Sequence, residues 1–267
     1  MRDALATLRA DLAAIHAVWL RELLRMARDR GQLAGAVSRP VLWVLIFGLG
    51  LAPYLGAGFA GAPVGYAAYV LPAVVVLNIL YPATQAALAT VQDREAGFLR
   101  ELLASPAPAW AVMTGKLLGG ASVAVGQGLL VLALAPVVGV VPSVGGVLAA
   151  LLPMAALAVA FAALALALAA RMRSVVGFGV FANTLILPAF FLAGSIFPLT
   201  PPAGTAAAEL PGWLTALVHV NPVTYALDEL RWALLGYRQL DPVTARAVTA
   251  AFAAAATGLA AVTAFRR

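Results

Sequence analysis

The residues that could do chemistry in this chain are few and mostly uncharged. Asn78, Tyr81, Thr84 and Gln85 recur at helical spacing, so a helix over this segment would carry them as a polar stripe. Ser122 and Gln127 lie in a second apolar segment, and Asn183, Thr184 and Ser195 in a third. Hydroxyls and carboxamides among apolar side chains do one of two things in a membrane. They tie helices together by hydrogen bonds, or they line the way for a moving polar ligand. Both readings stand for these residues, and Asn78, Tyr81, Thr84, Gln85, Gln127, Asn183 and Thr184 are the candidates for a substrate path. The parts for bond cleavage are missing. No Ser/His/Asp set, no HExxH and no paired carboxylates can be assembled in the apolar segments. Gly115-Lys116 looks like the end of a phosphate loop, but no glycine precedes it by five residues and no Ser or Thr follows. The chain is expected to hold neither ATP nor a catalytic residue. His16 and His219, with no cysteine, give no metal-ligand spacing, so no metal or other cofactor is expected.

The elements that must carry these residues follow from composition. Of 267 residues, 63% are hydrophobic and 10% charged, against about 45–50% apolar and about 25% charged in an ordinary globular chain. A soluble fold of this size lacks the interior to hide that much, which makes the chain an all-α membrane protein. A bilayer core needs about 20 apolar residues per helix. Charge-free gaps and turn residues such as 56–63 and 142–146 then divide the chain into six spans, at 40–55, 66–91, 117–141, 147–170, 175–197 and 243–265. Their central stretches are read as free of Asp, Glu, Lys, Arg and His, which disfavours an ion-coupled carrier. No repeat relates the first three spans to the last three, which also weakens that class.

Seventeen basic residues against eleven acidic ones give +6. Fourteen of the seventeen, including Arg94, Arg100, Lys116, Arg171 and Arg173, fall on the side of the termini and three on the other. This bias places both termini in the cytoplasm. The positive charge therefore reports topology, and no nucleic-acid partner is expected. Residues 1–36 read as an amphipathic helix in the inner headgroup layer, with Leu5, Leu8, Leu12, Ile15, Trp19, Leu23 and Met26 on one face and arginines reaching anionic membrane lipids. The alternative is a solvated helix packing on another subunit. Residues 93–105 read as a short cytoplasmic amphipathic helix stopped by Ser105-Pro106. Residues 198–241 read as an outer cap of two short proline-started helices dipping back into the outer leaflet, anchored by Trp213, Tyr225 and Trp232. Gly115-xxx-Gly119 and Ser122-xxx-Gly126 form a small-residue seam on the third span, read as close helix packing.

Three segments, in order, resemble one family. Residues 93–106, Asp93-Arg94-Glu95-Ala96-Gly97-Phe98-Leu99-Arg100-Glu101-Leu102-Leu103-Ala104-Ser105-Pro106, followed by Gly115-Lys116-Leu117, resemble the loop of ABC-2 type exporter permeases. Phe191-Leu192-Ala193-Gly194-Ser195-Ile196-Phe197-Pro198 resembles the end of their fifth span, with Ala193 where serine is common. Asn221-Pro222-Val223-Thr224-Tyr225, continuing through Asp228 to Arg231, resembles their outer helix. The nearest resemblance is to the daunorubicin-resistance and nodulation-factor exporter branch. It implies an inner-membrane permease of bacteria that pairs with a second permease copy, identical or closely related, and docks two separate ABC ATPase subunits carrying ATP and Mg. Arg94, Glu95, Phe98, Leu99, Glu101, Leu102 and Leu103 would then form the coupling helix that meets the ATPase. Asn221, Pro222, Thr224, Tyr225, Asp228 and Arg231 would build the outer cap, with Asp228 and Arg231 either paired across one helical turn or forming an ordinary surface pair. Few polar residues in the spans favour a hydrophobic, amphipathic or lipid-linked cargo. The competing readings are an ion-coupled secondary transporter and a non-transporting membrane assembly factor.

Overall fold

The structure is a computed structural model that describes residues 2–59, 63–95, 108–172, 174–200 and 210–265. Among these residues every regular element is helical, one of the two ways a backbone can satisfy its polar groups within a membrane. α1 (Arg2–Arg28) runs into α2 (Arg30–Trp43), which continues as a π-helical stretch Val44–Gly50 and the single turn α3 (Ala52–Leu55). α4 (Tyr66–Glu95) is followed, beyond the segment 96–107, by α5 (Ala109–Ala133). α6 (Val144–Ala169) and α7 (Val175–Phe191) come next, then the short α8 (Gly212–Val220), α9 (Pro222–Leu235) and α10 (Pro242–Phe265).

Among the described residues, five helical stretches are long and apolar enough to cross a bilayer: Leu33–Leu55, Tyr66–Gln92, Ala109–Ala133, Val144–Ala169 and Pro242–Thr263. Val175–Phe191 is apolar but shorter, at 17 residues. It stops before the 197 expected from the sequence because Gly194 takes a left-handed φ of 69°, which turns the chain. Its missing Cβ would also stand 2.5 Å from Leu199 Cδ2.

α4 is the axis of the bundle. Almost every residue from Tyr69 to Ala83 is buried, and α5, α6, α7 and α9 all pack on it. Leu77, Ile79 and Leu80 meet Met154 and Leu157 of α6 and Leu227 and Leu230 of α9 in one contiguous core. Pro72 and Pro82 lie within it, and Pro82 deprives the Asn78 carbonyl of its helical donor.

Two boundaries correct the sequence reading. α5 begins at Ala109, eight residues before the 117 expected, so Lys116 lies two turns inside a spanning helix. It is fully buried, and its Nζ donates to Thr90 Oγ1 at 3.2 Å. The first spanning stretch starts at Leu33 and so contains Arg39. Charge is therefore not confined to loops. A charged residue does not by itself mark a span boundary, because a long cationic side chain buried against a hydroxyl can sit within a span near its end.

α1 does not stand apart from the bundle. It lies along α5, and the glycine seam explains why. A Cβ on Gly115 would stand 2.7 Å from Val18 Cβ, and one on Gly119 would stand 2.7 Å from Glu22 Cβ, so only hydrogen allows this approach. Trp19 Nε1 donates to Ser122 Oγ at 3.1 Å beside the seam. Leu5, Leu8, Leu12, Leu20 and Leu24 remain exposed on α1.

Candidate functional site

The two ends of the bundle hold different polar arrangements. At the end away from the termini, each polar side chain of the Asn221-to-Arg231 motif has a definite bond. Asn221 caps α9 by accepting from Val223 N at 3.1 Å, which satisfies one of the four orphan donors of a helix start. Its Nδ2 donates to Ala189 O at 2.6 Å. That carbonyl is free because the last turn of α7 tightens, Ala193 N bonding Phe190 O instead. Pro222 occupies the first helical position, where no N–H is needed. Thr224 Oγ1 donates to Val218 O at 2.7 Å, and Tyr225 Oη to His219 O at 2.8 Å. The α8–α9 corner is thus closed by side chains of the second helix bonding the last carbonyls of the first.

Arg231 is the centre of this end. It is 1% exposed, and its guanidinium carbon lies 3.7 Å from the centroid of the Tyr69 ring. Nη2 donates to Gly194 O at 2.7 Å and Nε to Tyr69 O at 3.3 Å. Tyr69 Oη lies 2.9 Å from both Gly194 O and Phe197 O, so its single proton is shared between the two carbonyls. The turn after α7, the start of α4 and the middle of α9 are therefore fastened at one point. Burial pulls the Arg231 guanidinium below its ordinary pKa, opposed by the fields of Tyr69 and Asp228; an arginine stays charged nonetheless.

Asp228 and Arg231 do not pair directly. Asp228 accepts from Gln239 N at 2.8 Å and Leu240 N at 3.3 Å, with Arg238 Nε at 4.0 Å. Burial pushes its pKa up, while those two N–H groups and the charges of Arg231 and Arg238 hold it down. Glu229 binds Arg238 at 3.1 Å and Arg246 at 3.3 Å, tying α9 to α10. Each carboxylate of α9 thus orders the connection that follows it. The nine residues from Val223 to Arg231 are all buried, Tyr225 among them. α9 is a core helix of this end, and Tyr225 is not an interface anchor, whereas Trp213 and Trp232 are exposed.

At the other end, a groove opens between α1, α2, α4 and α5. One cavity of about 150 Å³ is lined by Glu22, Arg25, Gln85 and Gln92, with Gly119 and Gly120 forming its floor. A second, of about 250 Å³, is lined by Gly31, Gly35, Arg39 and Gln127. Both share Pro82, Gln85 and Val123, so they are one groove. Arg25 Nη2 donates to Gln92 Oε1 at 3.0 Å, and the Arg39 guanidinium lies 5.0 Å from the Tyr81 ring.

The substrate-path candidates separate accordingly. Gln85 and Gln127 line the groove, and Tyr81 stands behind Arg39. Asn78 is buried in the core, donating to Val74 O at 2.8 Å. Thr84 donates to Tyr81 O at 2.7 Å and faces a small apolar crevice against α6 and α7. Asn183 and Thr184 are exposed on α7, Thr184 bonding Val180 O. Of the coupling-helix candidates, Phe98, Leu99, Glu101, Leu102 and Leu103 lie outside the described residues, and Arg94 is placed only as part of α4. Glu95 is described: its Oε1 accepts from Val175 N at 3.1 Å, a carboxylate at the start of α7.

Tyr69, Glu22, Arg25 and Gln92 were not singled out from the sequence. A signal for Glu22 was present: it sits with Ile15, Trp19 and Met26 at helical spacing, an acid inside an apolar stripe.

The sequence model of the ABC-2 type transporter family matches residues 13–235. The chain belongs to that family. This ABC-2 permease is similar to the Escherichia coli K12 protein described as inner membrane transport permease YadH, at 26% identity over 90% of each chain. It is also similar to the probable multidrug ABC transporter permease YbhR of the same organism, at 27% identity over 67% of this chain and 47% of that one. The ABC-2 permease is therefore a multi-pass membrane protein and a transmembrane subunit of an ABC transporter. Such permeases work with ABC ATPase partners.

Proposed function

We propose that this chain is the membrane half of an ATP-driven exporter in the bacterial inner membrane, paired with a second permease copy and two ABC ATPase subunits that bind ATP and Mg. Both termini face the cytoplasm in this reading, which the 14:3 distribution of basic residues supports. The cargo is a hydrophobic, amphipathic or lipid-linked molecule, a class in keeping with the multidrug description that YbhR carries. The chain itself contributes no ATPase site.

The observation that carries this reading is the junction at Glu95. The segment 96–107 joins the end of α4 to the start of α5, and Glu95 bonds the first turn of α7. A push on that segment from a closing ATPase would reach three helices together, and packed helices pass on such displacements as rigid bodies. An apolar ridge of Phe98, Leu99, Leu102 and Leu103 would seat in the ATPase, with Arg94 and Glu101 setting register.

The test is co-purification with the cognate ATPase. Leu102→Asp is expected to abolish ATPase recovery while membrane insertion persists. Full ATPase recovery with this variant would overturn the coupling role. Transport by the purified chain alone in liposomes under a proton or sodium gradient would replace the whole reading with an ion-coupled carrier.

A further inference from the structure

The groove between α1, α2, α4 and α5 contains polar groups that the fold leaves unbonded. Glu22 is 7% exposed, and its buried Oε1 has no hydrogen-bond partner among the described residues. One turn further along α1, Arg25 Nη1 is likewise buried and without a partner, although Nη2 reaches Gln92. Both side chains line the 150 Å³ cavity, and they do not bond each other. A buried acceptor and a buried donor left open are costly, and native proteins fill such places with water or a ligand.

The chemistry narrows the ligand. A simple anion would answer Arg25 but be repelled by Glu22. A divalent cation would need more than one carboxylate, and among the described residues no group of three possible metal ligands exists. A bipolar group answers both, with an ammonium donating to Glu22 and a phosphate accepting from Arg25. The cavity has room for several waters, and it continues into the 250 Å³ cavity beside Gly35, around whose missing Cβ no neighbouring atom lies within 4 Å. Depth points to a membrane amphiphile: Gln92 is the last residue of its spanning stretch, at headgroup level, and Leu20 and Leu24 are exposed on the same helix as Glu22.

We propose that this groove binds an amphiphile through a primary-ammonium phosphodiester headgroup, the ammonium on Glu22 and the phosphate on Arg25, with Gln85 and Gln92 completing the polar wall. The site rests on the membrane setting alone and stands whether or not transport is ATP-driven. Its chemistry is that of an aminophospholipid of the bilayer or of a soluble ester with the same headgroup.

The experiment uses the full chain, purified and delipidated in detergent, with retained lipid counted by native mass spectrometry. Phosphatidylethanolamine is expected to bind about tenfold more tightly than phosphatidylcholine, whose methylated nitrogen cannot donate, and than phosphatidylglycerol, which lacks the cation. Glu22→Gln should bring phosphatidylethanolamine down to the level of phosphatidylcholine, and Arg25→Gln should lower all three. Val123→Trp, which fills the groove without touching either charge, should also lower phosphatidylethanolamine retention. Failure of millimolar glycerophosphoethanolamine to compete assigns the bilayer as the source; full competition supports the same headgroup chemistry and assigns the water phase. Equal binding of the three lipids to the unaltered chain, or undiminished selectivity in Glu22→Gln, would overturn the site.

Discussion

The two ends of this bundle use the same kinds of side chain in opposite ways. Around Arg231 nearly every polar atom is bonded: the guanidinium to the Gly194 and Tyr69 carbonyls, the Tyr69 hydroxyl to Gly194 and Phe197, the Asp228 carboxylate to two backbone N–H groups. Around Glu22 and Arg25 polar atoms are buried yet open. A saturated polar network fixes one arrangement, because breaking any member leaves others orphaned in a low-dielectric setting. An unsaturated one leaves interaction energy for something that is not part of the chain. The end built from the family-like motif is a fastening, and the end bordered by the N-terminal helix has the makings of a binding site.

This contrast breaks most visibly at Arg231. Arg231→Ala should destabilise the detergent-purified protein by about 3 kcal/mol, since a buried charged group and its hydrogen bonds to the Gly194 and Tyr69 carbonyls are lost. A melting midpoint within scatter of the parent would refute the fastening role. Next in size is the glycine seam. Gly119→Leu forces a side chain into Glu22 and the Trp19 backbone and should cost about 2 kcal/mol by overpacking, with α1 newly open to proteolysis between Arg21 and Arg28. An unchanged digestion pattern would show that α1 is not held there.

Tyr69→Phe removes only the hydroxyl and should cost about 1 kcal/mol. Glu22→Met sharpens the comparison by its sign. Replacing an unpaired buried carboxylate by an apolar side chain should leave stability unchanged or raise it by about 1 kcal/mol in lipid-free detergent, whereas a loss comparable to that of Arg231→Ala would mean that Glu22 is bonded within the fold.

The smallest expected effect lies at Asp241, whose carboxylate accepts from Thr244 N and Thr244 Oγ1 at the start of α10. These bonds hold its pKa below the ordinary value. A depressed carboxylate stabilises above its unfolded pKa, about 3.9, and that contribution fades as pH falls through the folded value. The melting difference between the parent and Asp241→Ala should therefore be largest near neutrality and shrink below pH about 4. A difference independent of pH would show that the cap acts without its charge.

Much of the helical plan was legible because hydrophobic runs are local. The helices at 66–91, 147–170 and 243–265 lie within four residues, at either end, of Tyr66–Glu95, Val144–Ala169 and Pro242–Phe265. Boundaries failed where a charge lies inside a helix, as at Lys116, or where a turn ends one early, as at Gly194. The outer motif could be recognised as a string, but the partner of each side chain could not. Asp228 and Arg231 share a helix at pair spacing, yet each binds elsewhere because stronger geometry was on offer from backbone groups brought in by folding.

The sequence by itself determined that this is a membrane-embedded helical chain, where its charges fall along it, and, through three motifs, its family. Those properties depend on side-chain type along short stretches, where a period of 3.6 residues and a bilayer's thickness are the only rulers needed. Only the tertiary structure decided which polar groups are satisfied. Tyr69 and Arg231 are 162 residues apart in the chain, and Arg25 and Gln92 are 67 apart. Hydrogen bonds act over about 3 Å, so whether a buried group is fastened or left open for a ligand depends on which distant helix lies beside it.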